Sequence, residues 1–178
     1  MPTRIRAYEP RDWPGVWEIL EPIFRAGETY AVSTDIAEAD AREMWVEAPR
    51  FVFVAEGEAA EGERGAGREG KPEILGSYFL KTNQAGPGDH VCNCGYVVSE
   101  RARGQGLASA MCVHSQQQAR SAGYRAMQYN LVVATNRGAV RLWQKHGFEI
   151  AGTLPGAFRH PTEGFVDAYV MFKRPGDA

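Results

Sequence analysis

Apolar residues recur with period two in some stretches of the chain and near period 3.6 in others, with glycine or proline between them. Ile5 and Ala7 alternate with Arg4 and Arg6, which predicts a short strand over 3–9. Trp13, Val16, Trp17, Leu20, Ile23 and Phe24 fall at helical spacing, with Asp12 placed to cap that helix and Gly27 to end it. A second helix starts at Ser33 or Asp35, carries Ala37, Ala41, Met44 and Trp45, and stops before Pro49. Residues 51–55 and 74–80 read as buried strands from their β-branched and aromatic content, and 91–98 as a third. A helix over 107–122 ends at Gly123, and 124–133 is a strand. A helix over 137–146 ends on Lys145 and His146, with Gly147 as a left-handed cap. Strands over 148–154 and 166–173 close the chain. This order of strands and helices makes an α/β (α+β) domain with a mixed sheet.

Composition narrows the picture. With 178 residues, 44% apolar and 11% aromatic, the chain reads as one domain, 1–178, with a sizeable core. Twenty Lys and Arg against 22 Asp and Glu argue against a nucleic-acid binder that works by charge. The longest apolar run, 51–55, is far short of the roughly 18 residues of a membrane span. Three cysteines, and a start without an apolar signal region, fit a cytoplasmic protein. Residues 56–73 hold no apolar side chain larger than alanine and read as a flexible hairpin loop inside the domain. His90, Cys92 and Cys94 share one strand face, but no fourth ligand is evident, so no metal is expected.

The informative segment is Tyr96-Val-Val-Ser-Glu-Arg-Ala-Arg-Gly-Gln-Gly-Leu-Ala108, a buried strand, a short turn and the start of a helix. The first N–H groups of a helix lack partners inside it, and the helix dipole adds partial positive charge there. Glycines at 104 and 106 let a ligand approach the backbone, so the turn suits a pyrophosphate, with Arg101 and Arg103 beside it. It is not a P-loop, because no Gly-Lys-Ser/Thr follows. It is not a dinucleotide fingerprint either: Ser109 stands where Gly or Ala is needed, and the next strand ends without an acidic residue.

The residues Arg103-Gly-Gln-Gly-Leu-Ala108 resemble the Arg/Gln-x-x-Gly-x-Gly/Ala motif of the GNAT superfamily of acetyl-CoA-dependent N-acyltransferases. Asn136, Ala139, Trp143, Gly147 and Phe148 match that family's second mark, an Asn opening a helix that ends in Gly-Phe. The likeness covers roughly residues 3–173. More narrowly, Cys92-Asn-Cys-Gly-Tyr96, Tyr129-Asn-Leu-Val132, Thr135-Asn136 and Val166-Asp-Ala168 are similar to fungal N-acetyltransferases that detoxify proline analogues. The resemblance implies a mostly antiparallel sheet of about seven strands, splayed between the fourth and fifth and flanked by four helices. It implies acetyl-CoA as co-substrate, held by Tyr96, Val97, Val98, Arg103, Gly104, Gln105, Gly106, Leu107, Ala108, Asn136, Ala139 and Trp143. The Val98 N–H would point at the acetyl oxygen, where negative charge develops. Many members dimerise, though the sequence shows no interface.

Two positions depart from the family pattern. Trp143 stands where many members place a Tyr that protonates the leaving sulfur, and Asn93 where many place a Glu base. Neither replacement exchanges a proton near neutral pH. The expectation is that Asn93 and Asn130 orient the acceptor and a proton-carrying water. The plainer alternatives are a satisfied strand amide for each, an N-cap for Asn136 and core for Trp143. Glu28 and Tyr30, in Gly27-Glu-Thr-Tyr30, are candidate acceptor-binding residues. Glu28 can bind a cation, accept the amine proton or simply be a solvated charge. Arg159 or His160 can meet a substrate carboxylate, and Asp167 is ambiguous in the same way as Glu28. The expected activity is acetylation of a primary or secondary amine of a small molecule, an amino acid or analogue. A peptide or protein N-acetyltransferase, or a non-catalytic CoA-binding sensor, would share these motifs.

Overall fold

A computed structural model describes residues 3–57 and 73–174. Seven strands form one sheet in the order β1-β2-β3-β4-β5-β7-β6. They are β1 (Arg4–Ala7), β2 (Phe51–Gly57), β3 (Glu73–Thr82), β4 (Val91–Val98), β5 (Ala126–Val133), β6 (Glu149–His160) and β7 (Gly164–Lys173). Every neighbouring pair is antiparallel except β4 and β5. The helices are α1 (Trp13–Ala26), α2 (Glu38–Arg42), α3 (Leu107–Ser121) and α4 (Arg137–Lys145), and one π turn, Glu43–Glu47, prolongs α2. The family-type mixed sheet with four helices is therefore present. Glu56 and Gly57 belong to β2 and Glu73 to β3, and the rest of the expected hairpin loop lies outside the described residues.

Each face of the sheet is covered by helices. Val16, Leu20 and Phe24 of α1 are fully buried, and with Trp45 they pack on Val54, Phe79 and Val97. Removing such a side chain from water stabilises the fold by about 1.5–3 kcal/mol each. The Trp45 indole N–H donates to Ser77 Oγ at 3.0 Å, so the large ring is buried without an orphaned donor. On the other face Met111 and Cys112 of α3 and Trp143 of α4 close over Tyr78, Leu80, Tyr96 and Tyr129.

Two local expectations are corrected. Asp12 makes no side-chain cap to α1. It forms a two-pronged pair with Arg6 at 2.7 and 2.8 Å and accepts the Glu9 N–H at 2.8 Å. Burial pushes the Asp12 carboxyl up, but Arg6 and the Glu9 N–H outweigh it and hold it below the ordinary value. Strand β6 does not stop at 154. Its register against β7 shifts between Leu154 and Phe158, the Gly156 N–H donates to Asp167 Oδ1 at 2.9 Å, and pairing continues to His160. No described helix is long and apolar enough to cross a membrane.

Candidate active site

The site grows out of one gap in the sheet. β4 and β5 pair only through Val91↔Ala126 and Cys92↔Met127, and then diverge. Where main-chain pairing stops, Asn93 takes over: its side-chain amide donates to the Gln128 carbonyl at 2.8 Å. Higher in the gap, the Tyr30 hydroxyl stands in for the missing strand. It donates to the Tyr96 carbonyl at 2.7 Å and accepts the Tyr96 N–H at 2.9 Å. The Tyr30 ring is held edge-on by Phe24 and Trp45, each with its centroid 5.7 Å away. Burial pushes its phenol well above the ordinary tyrosine range, so it stays protonated.

Strand alternation then decides which backbone groups of β4 are available. The Tyr96 groups face the gap, whereas Ser99 N–H turns the other way and donates to Leu75 of β3 at 2.9 Å. Val97 shares the orientation of Ser99 and is registered against Ser77 of β3. Val98 shares the orientation of Tyr96, so its N–H faces the gap. The expectation that the backbones of Tyr96, Val97 and Val98 all receive the pantetheine arm is thereby narrowed. Tyr30 occupies the groups of Tyr96, those of Val97 face β3, and Val98 remains.

A cavity of about 700 Å³ opens above Tyr30. Val98, Glu28, Tyr30, Arg103, Asn136 and His160 line it, with Thr135 and Glu163 at its wall. Glu28 reaches it because Gly27 ends α1 in a left-handed turn (φ 66°) and reverses the chain. At the glycine turn, Gly104 and Gly106 have φ of 75° and 82°, and a Cβ at either would meet no atom within 4 Å. Their backbone conformation excludes most side chains, and the space beside them is open to a ligand. The Leu107 side chain is buried, which anchors the first turn of α3 and leaves Gly106–Ala108 presenting N–H groups. This cradle fits the pyrophosphate of coenzyme A, and Arg103, exposed and 3.6 Å from Glu100, adds positive charge.

The remaining expected site residues are engaged in other ways. Asn136 caps α4 by accepting the Ala139 N–H at 3.1 Å, and thereby uses up the Ala139 amide. Trp143 is buried, with its ring 4.9 Å from that of Tyr96 and 5.0 Å from that of Tyr129. It is core beneath the gap rather than cavity wall. Asn93 is buried and Asn130 exposed, and neither lines the cavity. Asn130 instead joins Gln128 and Asn83 in a chain of amides, at 2.9 and 2.7 Å. Arg159 is exposed on the outer face of β6, while its neighbour His160 turns inward.

The groups beneath the gap hold their protons. Burial, with the nearby thiols Cys94 and Cys112, pushes the phenols of Tyr96 and Tyr129 well above the ordinary range. Burial likewise raises Cys94, which removes it as a thiolate nucleophile. Among the described residues no group of three or more His, Cys, Asp or Glu side chains is placed to hold a metal ion.

Comparison with known proteins agrees with this geometry. Residues 13–148 match the Acetyltransferase (GNAT) family. The chain belongs to this family. The N-acetyltransferase aca1 of Schizosaccharomyces pombe is 30% identical over 148 residues, covering 81% of this chain and 71% of that protein. A GCN5-related N-acetyltransferase from Kribbella flavida superposes with a TM-score of 0.84 at 37% identity, over 97% of each chain. A GNAT superfamily phosphinothricin acetyltransferase from Sinorhizobium meliloti, solved in complex with acetyl-CoA, shares the fold at 18% identity. Its TM-score is 0.78, over 98% of this chain and 89% of that one. The protein is thus an acetyl-CoA-dependent N-acetyltransferase of the GNAT type. In this GNAT enzyme the Asn93 and Trp143 side chains are engaged in holding the sheet and its core.

Proposed function

We propose that this acetyltransferase moves the acetyl group of acetyl-CoA to the primary or secondary amine of a small molecule, an amino acid or analogue. The observation that carries this reading is the convergence of Val98, Glu28 and His160 on one cavity beside the glycine turn. The volume, about 700 Å³, suits a small acceptor. The far end of the β6–β7 hairpin walls the cavity through His160, Thr162 and Glu163, which disfavours a long peptide acceptor.

In this reading Gly104–Ala108 and Arg103 bind the pyrophosphate, and the gap above Tyr30 receives the pantetheine arm. The Val98 N–H stabilises the oxygen of the tetrahedral intermediate; a donor aimed at developing charge contributes about 3–4 kcal/mol of barrier lowering. Glu28 binds the acceptor ammonium and takes its proton, directly or through one water. Asn93 and Asn130 act indirectly, Asn93 by tying β4 to β5 at the base of the gap and Asn130 by bonding Asn83 in the loop after β3. No cavity-lining side chain is a clear acid for the departing thiolate, so that proton comes from solvent. General acid–base assistance is worth about 10²–10⁴-fold, so transfer survives on positioning and one carboxylate. Three free, buried cysteines fit a reducing cytoplasm as the place of action.

Thiol release from acetyl-CoA, followed with a panel of free amino acids, simple amines and peptides, tests the reading. Turnover with free amino acids or their analogues is expected. Turnover confined to peptides, or binding of coenzyme A without turnover on any amine, would overturn it.

A further inference from the structure

His160 is nine-tenths buried, yet it lines the cavity. The turn after β6 wraps around one of its ring nitrogens. Nδ1 lies 3.4 Å from the Thr162 N–H, 3.4 Å from the Glu163 N–H and 3.2 Å from Thr162 Oγ1. Glu163 Oε1 lies farther off, 3.9 Å from Nδ1, so the two backbone N–H donors favour the lone pair there and put the proton of the neutral ring on Nε2. Nε2 lies across the ring from that turn and has no hydrogen-bond partner among the described residues. Nε2 is not among the buried unpaired side-chain atoms of the described residues, so it is open to the cavity and placed to meet a ligand or water. The charged cavity groups are Glu28, Glu163 and Arg103, the last at the glycine turn. Glu28 and Glu163 suit a cation and Arg103 belongs to the glycine turn, which leaves the Nε2–H of His160 as the donor for an anion.

We propose that His160 is a specificity-determining residue whose Nε2–H binds the carboxylate of the acceptor, so that the enzyme selects α-amino acids over the corresponding amines and amides. This inference rests on the small-amine reading above. It assigns the two charges of a zwitterionic acceptor to different walls, with the ammonium at Glu28 and the carboxylate at His160. It also explains why Arg159, though permanently charged, is not the recognition group: strand alternation turns it outward. The turn that fixes the ring tautomer acts as a positioning device, because it offers the site a donor and withholds the lone pair.

The test compares kcat/KM for small aliphatic amino acids and for their own carboxamides, with acetyl-CoA saturating. The wild type is expected to favour the acid by about 10–100-fold, the range set by a hydrogen bond to a charged group. His160→Asn keeps an acceptor for the Thr162 and Glu163 N–H groups but has no donor at the Nε2 position. It should lose that preference, with KM rising more for the acid than for the amide. His160→Gln places an amide N–H near the Nε2 position and should restore most of the preference. Equal use of acid and amide by the wild type would overturn the proposal without recourse to either variant, as would an undiminished preference in His160→Asn. Failure of every amine to be acetylated would instead overturn the small-amine reading itself.

Discussion

Replacing Tyr30 with Phe removes one oxygen from the molecule and tests the central feature of the gap. That oxygen satisfies two main-chain groups of Tyr96, at 2.7 and 2.9 Å, that the divergence of β4 from β5 leaves without a strand partner. A phenylalanine ring keeps the packing against Phe24 and Trp45 but orphans both groups. Each buried donor or acceptor left unmet costs about 1–3 kcal/mol. Water from the adjacent cavity recovers part of this, so the expected loss is about 2–4 kcal/mol for the pair. In a chain of this length 1 kcal/mol corresponds to about 2–4 °C, which places the melting midpoint about 4–16 °C lower. Thermal melts followed by circular dichroism, and urea unfolding with an unchanged slope, measure the loss. Because burial keeps the Tyr30 phenol protonated, the pH profile of acetylation should retain its limbs in the variant even if turnover falls. A midpoint within about 1 °C of the wild type would refute the reasoning, since two orphaned groups cannot cost so little. A lost pH limb would make Tyr30 a proton donor rather than a stand-in strand.

Three further outcomes follow from the same structure. Gly106→Ala meets no steric obstacle within 4 Å, so its cost to stability should be the left-handed backbone strain of about 1–2 kcal/mol. Its methyl group enters the cradle, and calorimetry should find coenzyme A bound at least tenfold more weakly. Glu28→Gln should lower kcat/KM by about 10²–10⁴-fold with the fold intact, and a fall below threefold would remove Glu28 as the base. Asp12→Asn breaks a buried pair with Arg6 and should cost about 3 kcal/mol at pH 7. The folded carboxyl lies below its unfolded value, so its contribution is complete above the unfolded pKa and fades as pH falls through the folded one. Urea unfolding at a series of pH values should therefore show the variant and wild type converging below about pH 4.

The order of elements was legible in the sequence because each was announced locally. β4 runs from Val91 to Val98 as its apolar content indicates, and α3 begins at Leu107 directly after the glycine pair. These signals rest on periods of 2 and 3.6 and on glycines that must adopt left-handed backbone angles, all properties of neighbouring residues. The glycine turn itself belonged to this class. Asp12 was misread because its partner Arg6 lies on another element and outcompetes the helix N-terminus for the carboxylate. The strand expected over 148–154 continues to His160 because β7 pairs beyond the irregularity after Leu154 and Asp167 satisfies the Gly156 N–H, both contacts with a distant segment.

The amino-acid order alone thus determined the alternation of strands and helices, the family likeness and the phosphate-cradling turn, because those features depend on contacts a few residues long. Tertiary structure decided which groups face the gap. Tyr30 reaches Tyr96 across 66 positions of chain, His160 faces inward where Arg159 faces out, and Trp143 and Asn93 are spent on the core and the sheet. Such assignments follow from which distant segments the buried apolar surface brings together, and no local pattern carries that information.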